Sequence, residues 1–253
     1  SSTKFWLEFG IIVESKDKKF SLSVVIPVYN EEKSIAACLD TLKAQTYKDF
    51  ELIVVDNNCT DGTASIAKEY GAKVVPCEPQ GIASARNEGA KQATGDILAF
   101  IDADARMSPT WIERALARFE KDEKLDTLSG TNVFDAPGPI TWLYYNFYNV
   151  IAFTVLAVAT FIQYHLVAGN NMLIKRELFL KTPGFPPRVS EDVHFAKYLR
   201  KMGNVSSGYD PWMTIEYSSR RFRRNGFLKT IMGWGWALIV VGKEDEYKMD
   251  FND

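Results

Sequence analysis

The sequence predicts an α/β fold in which a mostly parallel sheet is flanked by helices. Three observations support this prediction. Short runs rich in β-branched residues alternate with segments whose apolar residues recur at helical spacing. Most of these runs are continuously apolar, as strands buried on both faces require. Polar or acidic residues directly follow three of them, and open parallel sheets bind ligands beyond the carboxyl ends of their strands.

The first half of the chain supplies four strands and four helices in alternation, the succession that favours a parallel sheet. We expect Asn30 to cap the first helix, Gly71 to end the second in a left-handed conformation, and Ser108 with Pro109 to open the fourth. The predicted strands cover residues 22–28, 51–55, 73–75 and 96–101. The predicted helices cover residues 35–42, 60–70, 83–93 and 111–120.

The second half is less regular. A short apolar run over residues 172–174 predicts a further strand. Ser190 is placed to cap a helix that runs to about residue 201, and Gly203 would end it.

Composition excludes several classes of protein. With 30 basic and 32 acidic residues the net charge is -2, so the chain is not a globally basic nucleic-acid binder. Its three cysteines are odd in number and lack CxxC spacing, which argues against a disulfide framework and a zinc site. A reduced, cytoplasmic setting is the simpler interpretation. Neither a G-x-G-x-x-G loop nor a Walker loop is present, which disfavours dehydrogenases and P-loop enzymes.

The triplet Asp102-Ala103-Asp104 is the most informative local feature. Two carboxylates just past a buried strand can hold one hard divalent cation, Mn²⁺ or Mg²⁺, with positions left open for phosphate oxygens. The cation would neutralise charge on a departing diphosphate. The alternative is an ordinary turn, because Asp is common at the ends of strands.

Five short motifs occur in a fixed order between about Leu22 and Arg224. The motifs are Pro27-Val-Tyr-Asn-Glu-Glu32, Val55-Asp-Asn-Asn-Cys-Thr-Asp-Gly-Thr63, Ala85-Arg-Asn87, Asp102-Ala-Asp104 and Glu191-Asp192. Each motif is weak alone, whereas the ordered set is specific. Together they resemble the inverting glycosyltransferases of family two, which have the Rossmann-like GT-A fold.

The resemblance implies roles for residues on the donor side. Tyr29 would lie against the nucleotide base, Asp56 and Asn57 would bind the base or ribose, and Arg86 would reach the base or diphosphate. Family members often carry Asp where Asn57 stands, which leaves the identity of the nucleotide open. The full expected set of donor-binding residues is Pro27, Tyr29, Glu31, Asp56, Asn57, Arg86, Asp102, Ala103 and Asp104, with Asp102 and Asp104 as metal ligands.

On the acceptor side the resemblance makes Asp192 the catalytic base, with Glu191 orienting the acceptor or a loop. From spacing alone, acids in a first helical turn could simply complement the helix dipole. Gly169 and Asn170 resemble the acceptor-side segment of the family, against the alternative of an ordinary turn.

Four arginines crowd the segment from 220 to 224. Arg220 and Arg223 keep the two basic positions of a motif found in related processive synthases, where they would contact acceptor or diphosphate, but Arg224 replaces its Trp. A solvated or membrane-facing basic patch is an equally good interpretation of this segment.

Residues 142–167 form a densely apolar stretch that is long enough to span a bilayer. Six polar residues interrupt it, and a span would separate the metal site from Asp192. We therefore expect helices packed on the acceptor side or lying in a membrane interface, in preference to a transmembrane helix.

These observations predict an inverting glycosyltransferase that moves a sugar from a UDP- or GDP-linked donor to a lipid-linked or oligosaccharide acceptor. Peripheral contact with the cytoplasmic face of a membrane is expected, and a nucleic-acid partner is not. The alternatives are a nucleotidyltransferase and a non-catalytic module that binds nucleotide-sugars. The expected organisation is an N-terminal extension without a signal peptide (1–20), a donor half (21–104), an acceptor half (105–225) and an apolar tail (226–253).

Overall fold

The computed structural model describes residues 20–136, 169–188 and 190–219, with isolated positions between 138 and 158 and between 224 and 232. Eight strands and six helices have defined ends within these ranges. The strands are β1 (Leu22–Val28), β2 (Glu51–Asp56), β3 (Lys73–Pro76), β4 (Ile97–Ile101), β5 (Ala105–Met107), β6 (Thr127–Phe134), β7 (Asn171–Lys175) and β8 (Ser207–Tyr217). The helices are α1 (Ile35–Lys43), α2 (Thr63–Glu69), α3 (Ile82–Gln92), α4 (Trp111–Lys121), α5 (Arg176–Leu180) and α6 (Glu191–Met202).

All eight strands form one sheet in the order β3-β2-β1-β4-β7-β6-β8-β5. Strands β1 to β4 are parallel to one another, as the alternating pattern predicts. Strand β7 runs antiparallel to both β4 and β6, and β5 runs antiparallel to β8. The sheet is therefore mixed in the second half, and it continues across the expected border between the donor and acceptor halves at residue 104.

Helices cover both faces of the sheet, which explains why its inner strands are apolar throughout. On one face the buried residues of α1 and α4 pack against Val24 and Ile26 of β1. On the other face those of α3, α5 and α6 pack against Val25 of the same strand. Gly89 brings α3 close to the sheet, because a Cβ atom there would lie 2.3 Å from Cγ1 of Val25.

Two predicted helix caps are wrong, although the predicted first residues of both helices, 35 and 111, are confirmed. Helix α1 begins after Ser34, whereas Asn30 has a φ of 53° and belongs to the preceding loop. Helix α4 begins after Thr110, two residues later than a Ser108 cap would place it, although the Ser108 carbonyl still accepts a bond from the Trp111 amide. Gly71 does follow α2 with a φ of 80°, as predicted.

The apolar stretch 142–167 lies largely outside the described residues. Its described positions, 142, 143, 146, 147, 150, 154 and 158, are helical. Within the described part of the chain, no helix has the length and apolar character needed to cross a membrane.

Candidate active site

The loops that follow β1 and β2 are held together by reciprocal hydrogen bonds. The amide of Thr60 donates to Oδ1 of Asn30 at 2.8 Å, and the amide of Gly62 donates to Oε2 of Glu32 at 3.0 Å. In the other direction, the amide of Glu31 donates to Oγ1 of Thr63 at 2.9 Å. The first two sequence motifs therefore form one hydrogen-bonded edge, and several of their polar side chains hold that edge together.

Tyr29 stands beside this edge with 53% of its surface exposed, available to a planar ligand. Pro27 lies buried within β1, where it positions the backbone that leads to Tyr29. At the end of β2, Oδ1 of Asp56 accepts a bond of 2.8 Å from the amide of Cys59 and so fixes the turn. The expected neighbours Tyr29 and Asp56 thus sit on adjacent strand ends.

Asn57 has a different environment from the one expected of a residue that contacts the base. Its side chain is only 3% exposed, and Nδ2 donates to the carbonyls of Cys77 and Pro79, each at 2.8 Å. Its Oδ1 accepts a bond of 2.7 Å from the amide of Gly81, where α3 is about to begin. An aspartate could not donate to the two carbonyls, so the amide at this position shapes the loop before α3.

Asp102 and Asp104 flank the buried Ala103 directly after β4, both with part of their surface exposed. The described residues contain no group of three or more His, Cys, Asp or Glu side chains that could hold a metal ion. Two carboxylates still fit Mn²⁺ or Mg²⁺, because these ions commonly complete their shells with phosphate oxygens and water. Asp102 and Asp104 therefore fit a metal site that a diphosphate would complete.

Arg86 connects the loop after β4 to helix α6. Its guanidinium is 2% exposed; Nη2 donates to Oδ1 of Asp102 at 2.9 Å, and Nη1 pairs with Glu191. Burial lowers its pKa, but Asp102, Glu191 and Asp192 outweigh burial and the net pKa is raised. The ring of Phe185 lies 5.4 Å from the guanidinium carbon. This burial contrasts with the contact to base or diphosphate that the resemblance implied.

Asn87, the neighbour of Arg86, makes a second connection. Its Nδ2 donates to the carbonyl of Phe185 and its Oδ1 accepts from the amide of the same residue, both at 2.8 Å. Gly184 is required beside it, since it has a φ of 77° and a Cβ there would lie 2.5 Å from Oδ1 of Asn87. The third motif thus anchors the loop that leads to α6.

Glu191 and Asp192 occupy the first turn of α6, as the sequence predicts. Ser190 precedes them in a left-handed conformation and makes no side-chain cap. Burial raises the pKa of Glu191, and Arg86 opposes this effect. Asp192 is held from two sides, because its Oδ2 accepts a bond of 3.1 Å from the amide of Gly169 and its Oδ1 accepts one of 2.8 Å from the amide of Val193.

Gly169 fits tightly between the two halves of the site. A Cβ at this position would lie 2.8 Å from Nη1 of Arg86 and 3.0 Å from Cβ of Asp192. The carbonyl of the next residue, Asn170, accepts a hydrogen bond from the hydroxyl of Tyr217. Burial, then Asp102 and Asp104, raise the pKa of that hydroxyl well above its ordinary value.

Sequence reasoning missed Tyr217 and the polar side chains of β6 beside Asn170. They lie in strands that carry no motif, so no local signal marks them. Arg220 and Arg223, in contrast, were expected at the site and lie outside the described residues.

Comparison with known proteins finds glycosyltransferases among the proteins similar to this chain. The chain is 32% identical over 197 residues to the glycosyltransferase AglE of Haloferax volcanii; the match covers 72% of this chain and 62% of that protein. The chain thus spans less than two thirds of the length of this relative. The fold is similar to that of a mannosyltransferase from Pyrobaculum calidifontis solved with GDP-Man and Mn²⁺, with a TM-score of 0.64 and 23% identity over 98% of this chain and 71% of that one.

A second solved structure is also similar in fold to this chain. It is the glucosyl-3-phosphoglycerate synthase of Mycobacterium tuberculosis, solved with Mn²⁺, UDP and phosphoglyceric acid. Its TM-score is 0.62 and its identity 22%, over 88% of this chain and 77% of that one. Both neighbours are glycosyltransferases of the GT-A fold, which confirms the predicted fold class. The sequence profile of Glycosyl transferase family 2 matches residues 23–182, more than half of the chain, and the chain belongs to that family.

Proposed function

We propose that this chain is an inverting glycosyltransferase that moves a sugar from a UDP- or GDP-linked donor to an acceptor hydroxyl. The observation that carries the proposal is the buried bridge from Asp102 through Arg86 to Glu191. This bridge brings Asp102, which follows β4, close to the carboxylates of α6. One substrate could then contact both groups, as a single displacement requires.

The donor would bind along the ends of β1, β2 and β4. Tyr29 offers an exposed aromatic face for the base, and Asp56 ends β2 where the ribose would lie. Asp102 and Asp104 would hold a divalent metal, Mn²⁺ or Mg²⁺, which when bound neutralises charge on the diphosphate. The two solved neighbours contain Mn²⁺ with GDP-Man and with UDP.

Asp192 would act as the base. The acceptor oxygen forms a bond to the anomeric carbon, the bond from that carbon to the diphosphate oxygen breaks with its electron pair leaving on the diphosphate, and the acceptor proton passes to Asp192. The amides of Gly169 and Val193 fix the orientation of this carboxylate. Glu191, which pairs with Arg86, would orient the acceptor or a loop.

Two variants test this assignment. Asp192→Asn keeps the shape of the side chain but removes the proton acceptor, so turnover should fall by about 10²–10⁴-fold while donor affinity is retained. Asp104→Ala should instead abolish Mn²⁺-dependent donor binding. Release of nucleoside diphosphate and titration calorimetry measure the two effects, with Glu177→Gln on the surface of α5 as the matched control. Undiminished turnover of Asp192→Asn would refute the role of this base.

We further propose that the acceptor is lipid-linked and that the protein contacts the cytoplasmic face of a membrane. Leu143, Phe147, Val150 and Val158 are exposed, and their spacing places them on one side of a helical repeat. Phe147→Ser should weaken sedimentation with anionic vesicles at low salt, whereas Leu180→Ser, at an exposed leucine of α5, should not. Equal binding by both variants and the parent protein would contradict the proposal.

A further inference from the structure

A series of hydrogen-bonded side chains runs from Trp111 in the core to Asn170 beside the candidate site. The indole Nε1 of Trp111 on α4 donates to Oδ1 of Asn171 at 3.2 Å. Nδ2 of Asn171 donates to Oδ1 of Asn132 at 3.1 Å, and Nδ2 of Asn132 donates to Oδ1 of Asn170 at 3.1 Å. Trp111 and Asn171 are fully buried, whereas Asn132 and Asn170 are partly exposed.

The donor-to-acceptor direction of this series of hydrogen bonds is fixed at its buried end. An indole nitrogen can only donate a hydrogen bond, so Asn171 must turn its oxygen towards Trp111. The amide nitrogen of Asn171 also faces the carbonyls of Thr131 and Met213, each at 3.4 Å, and carbonyls can only accept. Two independent constraints therefore set the orientation of Asn171. Its amide nitrogen then sets the orientation of Asn132, which in turn sets that of Asn170.

Gly130 makes room for this arrangement. A Cβ at this position would lie 2.1 Å from the carbonyl oxygen of Met213 and 2.8 Å from Nδ2 of Asn171. A larger residue in this part of β6 would push the buried amide out of place.

At the exposed end of this series of hydrogen bonds, the side-chain amide nitrogen of Asn170 is available. Its Oδ1 accepts from Asn132 and its carbonyl accepts from Tyr217, while Nδ2 has no acceptor among the described residues. Asn170 directly follows Gly169, whose amide donates to Asp192, and its carbonyl accepts from Tyr217, which pairs across the sheet with Ala105, the neighbour of Asp104. With a diphosphate held at Asp102 and Asp104, Asn170 would lie between the diphosphate and Asp192, where the transferred sugar has to lie.

We propose that Asn170 donates a hydrogen bond to a hydroxyl oxygen of the transferred sugar, and that Trp111, Asn171 and Asn132 are positioning residues that keep it oriented as a donor. This inference rests on the proposed glycosyl transfer. It adds that the protein donates, and the sugar accepts, the hydrogen bond between them. It assigns no proton transfer to any of these four residues.

Isosteric variants of Asn132 separate orientation from simple structural support. In Asn132→Asp the new carboxylate can only accept, so Asn170 would turn its nitrogen inwards and present its oxygen to the sugar. In Asn132→Leu the amide of Asn170 is free to adopt either orientation. We therefore expect Asn132→Asp to be the more damaging of the two, although it keeps the hydrogen bond from Asn171. A merely structural role predicts the reverse order.

The assay compares the affinity for a nucleotide-sugar with the affinity for its nucleoside diphosphate, with Mn²⁺ present. UDP-glucose, UDP-GlcNAc and GDP-Man are the probes, followed by UDP or GDP for whichever sugar nucleotide binds. Asn132→Asp should lower the ratio of the two affinities by about tenfold and Asn132→Leu by about two- to threefold, the range expected for one hydrogen bond to a neutral group. Unchanged binding of the nucleoside diphosphate shows that each variant is folded.

A failure of the orienting role can be distinguished from a failure of the proposed function. If the affinity ratio is unchanged in Asn132→Asp, or is lower in Asn132→Leu than in Asn132→Asp, the orienting role is wrong and the proposed transfer stands. If the parent protein binds none of the three nucleotide-sugars, the proposed function and this inference both fail.

Discussion

Replacing Arg86 by Met is the most informative perturbation of the buried bridge. The substitution keeps most of the volume of the side chain but removes the charge that Asp102 and Glu191 share. Removing one partner of a buried ion pair costs about 3–5 kcal/mol. Asp102 is 30% exposed and can be solvated, whereas Glu191 is 14% exposed and would carry most of the penalty. We therefore expect a loss near the lower end, about 3 kcal/mol at pH 7.

The pH dependence follows from the raised pKa of Glu191. A carboxyl whose folded pKa lies above its unfolded value of about 4.3 reduces the free energy of unfolding as the pH rises through the folded pKa. Without Arg86 the folded pKa rises further, because the opposing effect of the guanidinium is lost. The penalty of Arg86→Met should therefore be small near pH 4.5 and grow towards pH 7.

Urea unfolding of a small set of variants measures this effect. Adding Glu191→Gln to Arg86→Met should recover at least about 1 kcal/mol, because the orphaned charge is removed. The control is Arg106→Met, whose partner Glu216 lies at 3.5 Å with both side chains about half exposed, and which should cost less than about 1 kcal/mol. Equal losses for the two arginine variants, or a loss independent of pH, would refute the reasoning.

Three further predictions concern the surroundings of the site. Gly89→Ala should destabilise the protein by about 1–3 kcal/mol in urea unfolding, because its methyl group would overlap the valines of β1 and β2; a neutral effect would contradict the close packing. Asn57→Asp should cost at least about 2 kcal/mol, since the buried carbonyl of Cys77 and the partly buried carbonyl of Pro79 lose their donor; wild-type thermal stability would exclude this role. Cys59 should react slowly with iodoacetamide at pH 8, because burial raises its pKa to about 11 and leaves about one thiolate in a thousand; rapid labelling that Cys59→Ser abolishes would count against it.

The sequence predicted the parallel strands β1 to β4 and their helices well, because each strand is a continuous apolar run and each helix has its own apolar spacing. It failed at helix caps, where the same side chain could serve either a cap or a loop. Asn30 has the side chain of a cap, but its oxygen is taken by the amide of Thr60 in the neighbouring loop. Contacts of this kind depend on tertiary structure and leave no local pattern.

The candidate site shows the same division. Asp102, Asp104, Glu191 and Asp192 could be named from the sequence, since short acidic motifs at strand and helix ends are visible there. The burial of Arg86 between them could not, because its two partners come from elements 16 and 105 residues away. The series of hydrogen bonds from Trp111 to Asn170 could not be predicted either, since it joins α4, β6 and β7 through residues of ordinary type.

The configuration of the released sugar tests the central claim most directly. An α-linked nucleotide-sugar that binds is incubated with the protein and Mn²⁺, with water as acceptor, and the anomeric proton of the freed sugar is followed by NMR from the first minutes. Single displacement assisted by Asp192 predicts that the β anomer forms first, before mutarotation mixes the two. First appearance of the α anomer would contradict the account, and so would the absence of any released nucleoside diphosphate from a donor that binds.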